Sequence, residues 1–156
     1  MPIANRNTHT SHPFPVGTSE KGNANALTTL AHRQIADGKN TEALANLKWA
    51  ARTSSVAAYN LGQMYFFGTT VEVDREIAMK YLRQAAEGNN PDAQYFLAAL
   101  TWDNEKGAPA IGEAISWAQK SENLGNAKAP SLRENLEKRR RDGSARPEES
   151  TGTRSS

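Results

Sequence analysis

The chain has 156 residues, 37% of them apolar, which leaves room for one folded domain flanked by polar segments and too little apolar matter for a compact fold of the whole length. A net charge of +2 is too small to imply a polyanionic partner, and the absence of cysteine excludes a disulfide framework, a thiolate nucleophile and a Cys-ligated zinc. No window approaches about 18 consecutive apolar residues, which excludes membrane insertion by a helix, and MPIANRNTHTSHPFPVG lacks the apolar region of a secretory signal, so the expected location is the cytoplasm.

All Trp and Tyr residues, and every Phe but Phe14, lie between Trp49 and Trp117, so the core is central, and residues 1–23 and 142–156 read as disordered tails. Between them, residues 24–141 are rich in helix formers and show no alternating strand pattern, which predicts an all-α domain. A first helix is expected over 24–37, with Leu27, Leu30, Ala31 and Ile35 inward, and Gly38 ending it in the left-handed conformation. Asn40 or Thr41 is expected to cap a second helix over 41–52, whose inward residues are Ala43, Leu44, Leu47, Ala50 and Ala51. Ser54 or Ser55 caps a third that ends at Phe67 before Gly68. Asp74 caps a fourth, with Ile77, Ala78, Tyr81, Leu82 and Ala85 as its stripe and Gly88 as its stop.

Asn90 followed by Pro91 reads as a cap and a first-turn proline opening the fifth helix, in which Ala93, Leu97 and Leu100 face inward. A loop over 105–110 and a sixth helix over 111–124 follow. The seventh is expected over 127–141, started by Asn126 and with Pro130 in its first turn. The pattern recurs with a fixed period: Ala57, Tyr59 and Leu61 return as Ala93, Tyr95 and Leu97, Ala78 and Tyr81 as Ala114 and Trp117, and Asn90 and Ala93 as Asn126 and Ala129, each 36 residues on. Such a period signifies stacked helix pairs that bury one another and extend a surface along which a partner lies. The charge of the last helix, concentrated in Lys138, Arg139, Arg140 and Arg141, suits the polar outer face of an end cap.

The run AYNLGQMYFFGTTVEVD at 58–74, followed by Ala78, Tyr81, Ala85, Ala86 and Gly88, resembles the Sel-one-like repeat, a relative of the tetratricopeptide repeat. The next copy departs from it, with Ala98 for the glycine, Thr101 for the tyrosine and DNEKGAPA for the Gly-Val loop, and the first hairpin looks more like a tetratricopeptide unit. The resemblance covers about residues 24–132. It implies a short right-handed α-solenoid of about three antiparallel hairpins plus a C-terminal capping helix, with Gly62 or Ala98 at the close approach of two helices and Ala78 and Ala114 receiving aromatic side chains. It further implies a non-enzymatic protein–protein adaptor that holds a partner peptide or helix in a concave groove lined by the first helix of each hairpin. Carried over position by position, that groove is Thr28, His32 and Ile35, then Tyr59, Gln63, Phe66 and Phe67, then Tyr95, Ala99, Trp102 and Asp103. The aromatic set Tyr59, Phe66, Tyr95 and Trp102 is its expected anchor surface, although aromatic residues at helical spacing also serve as repeat-packing core.

No other constellation assembles a site. His9 and His12 lack a third metal ligand, His32 stands without a paired carboxylate, GTSEKG at 17–22 lacks the spacing of a phosphate loop, and Glu148 and Glu149 lie in a tail. No enzyme, cofactor or metal is therefore expected. The run 138–141 complements the dipole of its helix among neighbouring acids, which argues against nucleic acid as the partner. The nearly acid-free, Asn-, Thr-, Ser- and Pro-rich N-terminus also looks like the unstructured export signals of bacterial type III effectors. This gives the alternative reading of a secreted effector, exported without a signal peptide, whose repeats engage a host protein. The sequence does not set the oligomeric state.

Overall fold

The computed structural model describes the backbone of residues 20–104 and 108–143, with side chains over 22–102 and 110–143. Residues 1–19 and 144–156, with His9, His12, Glu148 and Glu149, and residues 105–107 of the expected loop lie outside the described residues, whereas 20–23, expected in the N-terminal tail, are helical. The described residues form seven helices and no strand: α1 (Glu20–Ala36), α2 (Asn40–Ala50), α3 (Ser55–Phe67), α4 (Arg75–Glu87), α5 (Pro91–Asn104), α6 (Ala108–Asn123) and α7 (Ala129–Asp142). Neighbours in sequence pack as neighbours in space, so α1/α2, α3/α4 and α5/α6 are hairpins and α7 lies on α6, the arrangement of a short helical solenoid.

Leucine and alanine divide the work of packing. Leu27, Leu47, Leu61, Leu82, Leu97 and Leu136 are fully buried, one on every helix but α6, and alanines such as Ala43, Ala57, Ala78, Ala85, Ala93, Ala114 and Ala118 let the helices approach between them. At Gly62 the approach is close, since a Cβ there would lie 2.7 Å from Leu82 Cγ. One apolar cluster runs from α1 to Leu97 of α5. A second joins Ala98, Ala114, Ala118 and Leu136, with Trp102, Ile115, Trp117 and Leu132 packed against it. Leu30 and Ile77, expected inward, are instead 42% and 37% exposed, because each sits at the edge of its stripe where no facing helix reaches.

Helix ends follow a repeated device that corrects several expected boundaries. At the end of α1, Gly38 N–H bonds Ile35 O and Lys39 N–H bonds Gln34 O, with Gly38 left-handed at φ 75°. Lys39 is thereby both the last residue of this closing turn and the N-cap of α2, so neither Asn40 nor Thr41 caps that helix, and no side chain does. The same pair of bonds closes α4, from Asn89 N–H to Ala86 O and from Asn90 N–H to Ala85 O. There the left-handed residue is Asn89, at φ 61°, and not Gly88. Gly88 answers a different need, because a Cβ at that position would stand 2.9 Å from Ser55 Cβ at the start of α3.

Three side-chain caps are found where expected or nearly so: Ser54 Oγ accepts from Ala57 N–H, Asp74 Oδ1 from Ile77 N–H and Asn90 Oδ1 from Ala93 N–H. Asn126 does not repeat this role. Its Oδ1 accepts from Lys128 N–H, two residues on, and α7 starts at Ala129. At its other boundaries the chain is more helical than expected. α1 begins at Glu20, four residues early, because Asn23 and Ala24 are buried and Thr28 Oγ bonds Ala24 O, so burial outweighs the poor helix propensity of Gly22 and Asn23. α6 begins at Ala108, within the segment expected to be a loop.

Candidate protein-binding groove

The packing stripe decides which side chains are left for a partner. On α3, residues Ala57, Ala58, Leu61, Gly62, Met64 and Tyr65 are buried, which leaves Tyr59, Asn60, Gln63 and Phe66 half-buried and Phe67 56% exposed. On α5 the buried set is Ala93, Gln94, Leu97, Ala98 and Thr101, and Tyr95, Phe96, Ala99, Leu100 and Trp102 are half-buried. Since α1, α3 and α5 are the first helices of their hairpins, their free edges fall on one side of the stack.

Two clefts lie along this side. The first, of about 340 Å³, runs between α1 and α3 and is lined by His32, Ile35, Leu47, Asn60, Gln63, Met64 and Phe67 with Thr69 and Thr70 of the following loop. The second, of about 590 Å³, runs between α3, α5 and the α6–α7 turn, and its walls include Tyr59, Gln63, Asp92, Tyr95, Phe96, Leu124, Asn126 and Lys128. Gln63 lines both, so the two clefts adjoin at its side chain. Gln63 Nε2 donates to the Tyr59 hydroxyl at 2.8 Å, and His32 Nε2 lies 3.1 Å from Asn60 Nδ2, a contact in which the ring nitrogen accepts. The first bond lies within α3, and the second ties α3 to α1.

Of the residues expected in the groove, His32, Ile35, Tyr59, Gln63, Phe67 and Tyr95 line it. Four others are placed elsewhere. Thr28 is buried, with its hydroxyl bonded to Ala24 O. Ala99 lines neither cleft. Phe66 is held edge-on between Phe67 and Phe96, at centroid separations of 5.0 and 5.2 Å, and the Arg75 guanidinium sits 4.5 Å over its ring. Trp102 packs on the cluster shared with α7, where Arg139 lies 5.3 Å from its ring centroid. The side chain of Asp103 lies outside those described. Of the expected anchor set, therefore, Tyr59 and Tyr95 share a cleft, and Phe66 and Trp102 are packed between helices.

Sequence reasoning missed Asp92, Leu124, Asn126 and Lys128. They come together because Asn126 Nδ2 donates to Asp92 Oδ1 at 2.9 Å and also reaches Pro91 O at 3.5 Å, docking the α6–α7 turn on the start of α5. The 36-residue period held the signal, since the segment 124–128 stands one period after 88–92, the turn that opens α5. Burial, then the negative charge of Asp92, push the Tyr59 pKa above its ordinary value of 10.0, against a smaller lowering by the Gln63 hydrogen bond. On α7, Arg133 is clamped by Glu122 at 2.6 Å and Glu137 at 2.8 Å, which raise its pKa further and tie the cap to α6. Among the described residues no group of three potential metal ligands occurs, and no helix is long and apolar enough to cross a membrane.

A family model described as the Sel1 repeat matches residues 55–90 and 91–126, the segments that contain α3/α4 and α5/α6. No curated protein matches the chain in sequence. Among solved structures, the crystal structure of a Sel1 repeat protein from Oxalobacter formigenes is similar, with a TM-score of 0.65 and 26% identity over 73% of this chain and 90% of that one.

Proposed function

We propose that this chain, a Sel1-like repeat protein, is a non-enzymatic adaptor that holds an extended segment or a helix of a partner protein in the groove along α1, α3 and α5. Sel1 repeats are in general protein–protein interaction modules and typically non-catalytic scaffolds. The observation that carries the finer reading is that two clefts along these helices adjoin at Gln63. Phe67, 56% exposed, and Leu124, 47% exposed, stand in the first and second cleft, two large apolar side chains with water to lose on contact. Half-buried Tyr59 and Tyr95 add rigid surface with polar tips, the composition that anchors partner segments.

Site-specific photo-crosslinking tests this in the full chain in its native cell. A photoreactive residue replacing Tyr95 or Phe67 is expected to capture a discrete protein, and one replacing Asn135, on the exposed side of α7, is not. Capture of the same protein from Asn135 and not from the groove positions refutes the groove. Neighbouring exposed residues away from the clefts, such as Glu76 on α4, supply a second negative control.

A further inference from the structure

Resting on that reading, we infer that the second cleft receives a basic side chain, arginine or lysine, of the partner segment. The geometry centres on Asp92, an exposed residue in the first turn of α5. Its Oδ1 is held by the neutral amide of Asn126 at 2.9 Å, and Asn126 is itself fixed by Lys128 N–H and Pro91 O. The carboxylate is thus oriented without being neutralised. Among the described residues no Lys or Arg nitrogen lies within ion-pair distance of it, whereas Arg83 and Arg133 do have acidic partners.

An acid in the first turn of a helix is favoured by the dipole alone, but the dipole does not account for its surroundings. Tyr59, Tyr95 and Phe96 line the same cleft. Tyr59 is near enough for the charge of Asp92 to act on its hydroxyl, and that hydroxyl already accepts from Gln63, so its own proton is left to donate. A fixed carboxylate beside aromatic faces is complementary to a cation, which gains an ion pair and the negative π-faces together. Lys128 is the one cation lining the cleft, from the α6–α7 turn, and it carries no acidic partner among the described residues. It is on a flexible stem, free to swing toward water, whereas Asp92 is bonded in place.

The probe is a random-peptide phage library selected on the immobilised full chain, followed by affinity measurement of the selected peptides against wild type, Asp92→Asn, Lys128→Gln and Tyr95→Ala, each shown to retain helical circular dichroism. The expected result is an Arg or Lys at a fixed position in the selected peptides. Asp92→Asn should then lower affinity roughly tenfold, and Lys128→Gln, which removes a like charge from the cleft wall, should raise it. Replacing the peptide's basic residue by Met should cause the same loss in wild type and no further loss in Asp92→Asn. Peptides that depend on Tyr95 but not on Asp92, or that carry an acid and depend on Lys128, overturn the inference and leave the groove reading standing. Binding indifferent to both Tyr95→Ala and Asp92→Asn overturns the groove reading and this inference with it.

Discussion

Gly62 is the position inside a helix where a single methyl group meets the closest neighbour among the described glycines. A Cβ built there would lie 2.7 Å from Leu82 Cγ, 2.8 Å from Leu82 Cδ2 and 3.2 Å from Leu82 N. A rotamer change relieves the first two contacts but not the third, and Leu82 is fully buried, with packed neighbours in place of an empty alternative. α3 and α4 must therefore move apart. Overpacking of this kind costs about 1–3 kcal/mol, against about 1 kcal/mol returned when alanine replaces glycine inside a helix. Gly62→Ala should thus destabilise by about 0–2 kcal/mol. Gly112, inside α6, provides the control, because a Cβ there meets nothing within 4 Å. Gly112→Ala should stabilise by about 0.5–1 kcal/mol. Urea denaturation of the full chain followed by far-ultraviolet circular dichroism measures both, and equal stabilisation by the two substitutions would refute the close-approach argument.

The chain itself contains the compensated form of this contact. One period after Gly62 and Leu82 stand Ala98 and Ala118, both fully buried. In the second Sel1 repeat the methyl group has been added on one helix and the large side chain removed from the other. Leu82→Ala alone should cost about 2–5 kcal/mol. With Gly62→Ala also present, the new methyl fills part of that cavity and regains its helix propensity without a clash. The double variant should be more stable than the sum of the singles by at least about 1 kcal/mol, and strict additivity in the same denaturation assay would show that the two positions do not share one space.

Three further outcomes are expected. Asp74→Ala and Asn90→Ala each remove a 2.9 Å cap and should cost about 0.5–2 kcal/mol, with Asn90 at the upper end because it is buried; thermal melts check the order. Ser121→Ala deprives Pro91 O of a 2.7 Å donor between α6 and α5 and should cost about 0.5–1.5 kcal/mol, so an unchanged denaturation midpoint contradicts the role assigned to it. Tyr59 should ionise above its ordinary value of 10.0, chiefly through burial and secondly through Asp92. The folded state then holds this proton more tightly than the unfolded chain, so the associated stability is whole below the ordinary value and is lost as pH rises through the folded one. In an ultraviolet absorbance titration, Tyr59→Phe should remove a late phase and Asp92→Asn should shift that phase downward; removal of an early phase instead contradicts the assignment.

The fold was legible because its signals are local and redundant. Ser54, Asp74 and Asn90 are caps at helix starts, Gly68 ends α3 at φ 68°, and the 36-residue return of Ala and Leu fixes which faces meet. The boundaries that differ are those where tertiary contact overrides propensity, as when burial of Asn23 and Ala24 extends α1, or where one residue serves two helices, as Lys39 does. The groove was half legible for a related reason. Helical periodicity places Tyr59, Gln63, Phe67 and Tyr95 off the packing stripe, but it does not tell which off-stripe residues a neighbouring helix will cover. Trp102 is covered from α7, whose Arg139 lies over its ring, and Phe66 is covered by Phe96 and Arg75.

Asn90 and Asn126 show how one repeat position comes to make two different sets of hydrogen bonds. Asn90 and Asn126 stand one period apart, and both complete the turn that closes the preceding helix, with Asn90 N–H on Ala85 O and Asn126 N–H on Ser121 O. Asn90 then uses its side chain to cap α5, and that amide is buried. At the second position α7 starts later, so Asn126 turns its Oδ1 to Lys128 N–H and sends its Nδ2 back to Asp92. The same side chain that begins a helix in the inner repeat orients a carboxylate in the outer one. A delay of two residues in the start of the last helix is therefore enough to free the side chain of a capping residue to reach Asp92.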